Sequence, residues 1–160
     1  MFSVGDKVVH PMHGAGVIDS IVREKIGGAY HDYYVFEMPM NGLVLKIPID
    51  NVDAIGVRSI DSCEEIEKVF SEFAEMPTEM SDNWNHRYRE NLEHMKSGNL
   101  REVAIVIKGL MYRDHERGLS TGERKMLHTV KQILVSIVSL AEDVSCESVE
   151  KRIEDAVQHP

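Results

Sequence analysis

Trp84 is the only tryptophan in the chain, and it stands in Asn83-Trp84-Asn85-His86-Arg87-Tyr88-Arg89. A large flat ring beside amides, an imidazole and two guanidinium groups suits contact with a nucleic acid. The cations would hold phosphate while the ring presses on a base step. The same residues also suit an ordinary amphipathic helix, with Tyr88, Leu92 and Met95 continuing the face of Trp84, since most tryptophans are largely buried. A second group, Arg113-Asp114-His115-Glu116-Arg117-Gly118-Leu119-Ser120, reads either as a basic corner or as an arginine-rich helix end with a glycine stop. Arg124 and Lys125 follow in the first turns of the next helix. Cations there oppose the helix dipole, which points to an external role for them.

Other groups carry less. His10-Pro11-Met12-His13-Gly14 has two imidazoles three apart across a proline, poorly placed for joint metal ligation and without a nearby cysteine. A turn between two strands is the better reading. Glu64-Glu65 fits a helix amino terminus, where the dipole favours acids. Gly27-Gly28 lacks the lysine and helix start of a phosphate cradle. No nucleophile elbow, zinc-protease helix, phosphate-binding loop or dinucleotide fingerprint occurs, so neither an enzyme nor a cofactor or metal is expected.

Charge sharpens the choice. The chain of 160 residues carries a net charge of −9, which by itself argues against a nucleic-acid partner. Its distribution argues otherwise. Residues 1–58 hold 5 Lys+Arg against 7 Asp+Glu, and residues 59–83 hold 1 against 8. Residues 84–131 hold 10 against 6, and residues 132–160 hold 2 against 6. The one cationic excess therefore begins at Trp84, the asymmetry expected of a single nucleic-acid-facing surface. A solvated helix face would also carry it. The opening Met1-Phe2-Ser3-Val4-Gly5-Asp6 has neither the basic nor the apolar run of a secretory signal. No apolar run approaches the ~20 residues of a membrane span. Cys63 and Cys146 are far apart and read as incidental reduced thiols of a cytoplasmic chain.

The elements that must carry these residues change class near residue 58. Before it the pattern is β: Lys7–His10, Ala15–Val22, Tyr33–Phe36 and Leu43–Ile47, with turns at Gly27-Gly28 and Asn41-Gly42 and a last short strand at Ile55-Gly56-Val57. Four or five short strands in so few residues predict a small SH3-like or Tudor-like barrel. Beyond it the period becomes 3.6. Ser62-Cys63-Glu64-Glu65 and Ser120-Thr121-Gly122-Glu123 are capping boxes. Apolar stripes predict about five helices, so the expected class is α+β, with domains at 1–58 and 59–160.

Val4-Gly5-Asp6-Lys7-Val8-Val9-His10-Pro11-Met12-His13-Gly14-Ala15-Gly16, Leu45-Lys46-Ile47-Pro48 and Asn83 to Leu92 together resemble the CarD/CdnL bacterial transcription regulators. The resemblance is strongest over Tyr112 to Leu127. It implies an amino-terminal Tudor-like domain that binds the RNA polymerase β subunit, similar to the polymerase-interaction module of transcription-repair coupling factor. It also implies a helical domain that contacts promoter DNA at the upstream edge of the melted bubble, largely without sequence readout. There Trp84 would act as a minor-groove wedge that stabilises the open complex. Asn83, His86, Arg87, Arg89, Arg113, Arg124 and Lys125 would be its DNA-contacting neighbours. Three positions depart from the family pattern: Glu24 stands where some relatives have arginine, Lys46 where arginine is frequent, and His86 where a basic residue is common. Arg23, Glu24 and Lys46 are the residues expected at polymerase. The expected molecule is a monomer without a membrane partner. The other class that these residues permit is a protein adaptor docking on polymerase with no functional DNA contact.

Overall fold

The computed structural model describes residues 1–158; residues 159–160, which the sequence reading placed at the end of the helical region, lie outside the described ones. Strand β1 (Lys7–His10) is followed by β2 (Gly14–Ile26), β3 (Ala29–Met38) and β4 (Leu43–Pro48). A helical turn, α1 (Val52–Ile55), leads to β5 (Arg58–Ser59). All pairs are antiparallel, in the order β4-β3-β2-β1-β5. A four-strand meander whose fifth strand returns beside the first is the expected SH3/Tudor-like order.

Period-two alternation gives this sheet two destinations. Val8 enters a small core with Ile18, Tyr34, Phe36, Met38, Ile47, Val52 and Val57. Val9, its neighbour, enters the large helical core instead. Two local expectations are corrected. Ile55-Gly56-Val57 is not a strand: Gly56, at φ 93°, ends α1 as a left-handed cap, and the last strand is one residue further on. Asn41-Gly42 is not a two-residue hairpin, since Pro39 to Gly42 form a four-residue loop closed by Gly42 N–H donating to Met38 O at 2.9 Å.

The helices are α2 (Cys63–Glu72), α3 (Trp84–Lys96), α4 (Leu100–Arg117), α5 (Thr121–Glu142) and α6 (Cys146–Gln158). The Ser62–Glu65 capping box is fully formed. Ile66 and Val69 of α2 pack with Val103, Ala104, Ile107 and Leu110 of α4, with Val130, Leu134 and Ile137 of α5, and with Ile153 of α6. Sheet and helices share a buried joint. Ala15 N–H donates to Ser136 Oγ at 2.9 Å, and that hydroxyl donates to Ile133 O at 2.7 Å. Beside it Gly14 (φ 98°) is required twice over: its φ disfavours a side chain, and a Cβ would collide with the Ser136 hydroxyl.

Candidate nucleic-acid interface

Trp84 is the first residue of α3. Asn83 caps that helix, its side-chain oxygen accepting from His86 N–H at 3.0 Å. The indole is 43% exposed, so it is not a core residue. It is held nonetheless. Its Nε1–H donates to Ser120 Oγ at 3.0 Å, and its face stacks on Tyr88 with centroids 5.1 Å apart at 15°. A Cβ on Gly122 would stand 3.4 Å from the ring, so α5 approaches it closely. Ser120 is itself the cap of α5 and accepts from Glu123 N–H. The indole edge is thus pinned where the amino termini of α3 and α5 meet, and both ends present the positive pole of a helix dipole.

Beneath the ring lies a buried ion pair. Arg87 and Glu123 are each 3% exposed. Arg87 donates from Nε to Glu123 Oε2 at 2.8 Å and from Nη2 to Oε1 at 3.2 Å. Its Nη1 reaches Ser81 O at 3.0 Å and Asp82 O at 3.3 Å. Glu123 Oε1 also accepts from the Ser120 hydroxyl at 3.0 Å. The expected second capping box is therefore half formed, because its carboxylate is committed to Arg87. Burial pushes the Glu123 carboxyl up, but the Arg87 and Ser120 hydrogen bonds and the Arg87 charge outweigh it and hold Glu123 below the ordinary carboxylate range.

This corrects one expectation: Arg87 faces the interior and is not available to phosphate. Two residues along a helix turn the side chain by ~200°, so Arg89 is the one that faces outward, and it is exposed. Arg124 and Lys125 are exposed as expected; Arg124 Nε donates to Leu119 O at 3.2 Å, and its guanidinium lies 3.9 Å from Asp114. Arg113 is half-buried, 3.9 Å from Glu123. His86 is exposed and meets Glu90 at 3.0 Å, one turn along.

Sequence reasoning missed Ser120 and Glu123 as partners of this site, reading both only as helix capping. Gly122 was the available signal, since glycine inside a helix's first turn suggests close approach of another group. It also left out how the preceding segment is held. Buried Lys108 donates to Ala74 O at 2.7 Å and Met76 O at 2.9 Å, and Met80 covers Gly109, where a Cβ would collide with it.

At the other end, Glu24 and Lys46 form an ion pair on the outer face of the sheet. Arg23 lies on the opposite face, 3.0 Å from Asp32. It cannot replace an arginine at position 24, because adjacent strand residues point to opposite faces. His10 ends β1 and His13 lies in the turn before β2, with their rings 4.6 Å apart. Burial, and then the charge of His13, lower the His10 pKa to about 4. His10 Nδ1 accepts from Met12 N–H at 3.1 Å and so stabilises the turn.

Comparison with known proteins places this arrangement. Residues 2–60 match the CarD-like/TRCF RID domain, and residues 68–154 match the CarD C-terminal domain. The chain is 28% identical over 145 residues to "Putative transcription factor YdeB" of Bacillus subtilis (strain 168), covering 91% of this chain and 95% of that one. The solution NMR structure of the 72-residue N-terminal domain of Myxococcus xanthus CarD is 30% identical, with a TM-score of 0.33 over 37% of this chain and 79% of the other. With one model covering the β region and the other most of the helical region, the chain belongs to the CarD-like family of transcription factors.

Proposed function

We propose that the chain is a cytoplasmic RNA polymerase accessory factor that stabilises the open promoter complex with Trp84 as a minor-groove wedge. Residues 1–58 serve as the polymerase-docking unit and residues 59–160 as the DNA-contacting unit. The observation that carries this reading is Trp84 itself: an exposed indole, pinned along one edge and backed by Tyr88. An anchored ring loses little rotamer freedom on insertion, so more of its contact energy is left for the DNA. Insertion at an intact step costs a few kcal/mol, and less where the step is already unstacked. The wedge therefore binds the melted state better than the closed one, and only such a difference shifts the equilibrium. Arg89, Arg124 and Lys125 supply phosphate contacts around it, with Arg113, Asn83 and His86 at the margin.

Docking on the polymerase β subunit uses the other end. Strand β4 is an edge of the sheet, with Leu43 and Val44 exposed, so its free backbone groups can take an added strand. The Glu24–Lys46 pair lies beside it. Polymerase supplies most of the recruitment, because a net charge of −9 disfavours independent DNA binding.

The test is open-complex half-life with purified polymerase and promoter. Trp84→Ala is expected to shorten it towards the value without the factor, while polymerase affinity and the circular dichroism spectrum stay unchanged. An unaltered half-life sinks the wedge and leaves the adaptor reading.

A further inference from the structure

The β2–β3 hairpin extends beyond the rest of the sheet. Strand β4 covers β3 only from Tyr33 to Met38, and β1 covers β2 only from Gly14 to Val17. Residues 23–32 are thus a two-stranded ribbon, with Ile21 at its base, turned at Gly27 and Gly28, which both have the positive φ of a tight hairpin. Neither face of such a ribbon has a layer against it, and an isolated hairpin is marginal in water.

The two faces differ in charge. The front carries Glu24, which Lys46 of β4 neutralises. On the reverse lie Arg23, Lys25, Tyr30 and Asp32, in the register Arg23↔Asp32 and Lys25↔Tyr30, with Ile21 below them. Asp32 pairs with Arg23 at 3.0 Å, whereas Lys25 has no acidic partner among the described residues. The Arg23 guanidinium and the Lys25 ammonium lie 5.9 and 5.7 Å from the centre of the Tyr30 ring. Tyr30 is 65% exposed and Ile21 47%. The reverse face thus has one cation in excess, in a β region whose net charge is −2. Tyrosine and arginine beside an aliphatic side chain form the composition of a protein-binding hot spot, and its charge fits an acidic segment.

We propose that the reverse face of the β2–β3 ribbon, formed by Ile21, Arg23, Lys25 and Tyr30, is a second docking surface for an acidic protein segment of the polymerase that takes the β4 edge. This rests on the docking reading above, and adds that the ribbon is held on both faces. It also gives Arg23 a place: facing away from Lys46, it reaches the partner only if the partner wraps the hairpin. Arg23 is already paired with Asp32, and a single excess cation is too little for a phosphate backbone, whose binding rests on several, so the composition favours a protein segment.

The experiment uses the full chain and purified bacterial RNA polymerase core enzyme. A photoreactive benzoylphenylalanine replaces Tyr30 in one variant and Val44, on the β4 edge, in another. Position 30 is expected to crosslink to an acidic polymerase segment distinct from the one reached from position 44. The Arg23→Glu/Lys25→Glu variant, with an unchanged circular dichroism spectrum, should abolish the first crosslink and weaken binding about tenfold, with a flatter salt dependence. Crosslinking from 44 but none from 30 would overturn the second surface and leave the docking reading intact. Absence of both would overturn the docking reading itself. Crosslinks from 30 that appear only to added promoter DNA would assign the ribbon to nucleic acid and refute the proposal.

Discussion

Replacing Arg87 by methionine tests the division of labour at the tryptophan. The guanidinium is 3% exposed, makes two hydrogen bonds to Glu123 and two to the carbonyls of Ser81 and Asp82. Methionine fills similar volume but leaves Glu123 buried with the Ser120 hydroxyl as its one side-chain hydrogen-bond donor, and with Arg113, 3.9 Å away and not hydrogen-bonded to it, as the nearest remaining cation. Breaking one side of a buried pair costs about 3–5 kcal/mol. At ~2–4 °C per kcal/mol for a chain of this size, Tm should fall by about 6–20 °C. Differential scanning calorimetry measures it. The double variant Arg87→Met/Glu123→Met should recover much of the loss, because an apolar pair leaves no charge unpaired. The pH dependence should also change sign. In the native protein the depressed Glu123 pKa contributes stability that is present above the ordinary value of 4.5 and is lost as pH falls through the lower folded value. In Arg87→Met burial dominates, the folded pKa rises, and stability grows as pH falls from neutrality towards about 4.5. Should Arg87→Met keep its Tm yet lose the open-complex effect as strongly as Arg89→Glu does, the guanidinium works at phosphate and the argument fails.

Other substitutions separate the parts. Ser120→Ala removes the indole's anchor and the α5 cap; it should cost about 1 kcal/mol and shorten the open-complex half-life at a temperature where the variant is fully folded. Lys46→Glu places two carboxylates together at Glu24 and should weaken polymerase binding in a pull-down, whereas Trp84→Ala should not. Gly14→Ala forces a Cβ into Ser136 at positive φ and should lower Tm. Adding Ser136→Gly to it should restore part of the loss, since that removes the collision but not the backbone strain.

Much of the architecture follows from local pattern. The period-two strands, the helical stripes and the Ser62–Glu65 box reflect interactions within a few residues, which adjacent side chains specify. Errors arose where neighbours competed. Asn41-Gly42 carries the residues of a tight hairpin, yet the register of β3 with β4, set by burying Met38 and Ile47, requires four residues there. Ile55 and Val57 favour a strand, but Gly56 can adopt the left-handed cap that ends a helical turn.

The amino acids alone establish that one tryptophan opens a cationic segment, on a helix following a small β domain, in a pattern resembling one family of regulators. They do not settle which of two arginines on that helix points inward. Arg87 and Arg89 stand in equivalent local surroundings, and the partner that distinguishes them, Glu123, is 36 residues away. Nor could composition tell whether Trp84 is core or surface, because Ser120 and Gly122 meet it only after α4 has turned the chain back. Charge and periodicity are local properties, readable in order along the chain. Burial and partnership are long-range ones, and only the packed helices decide them.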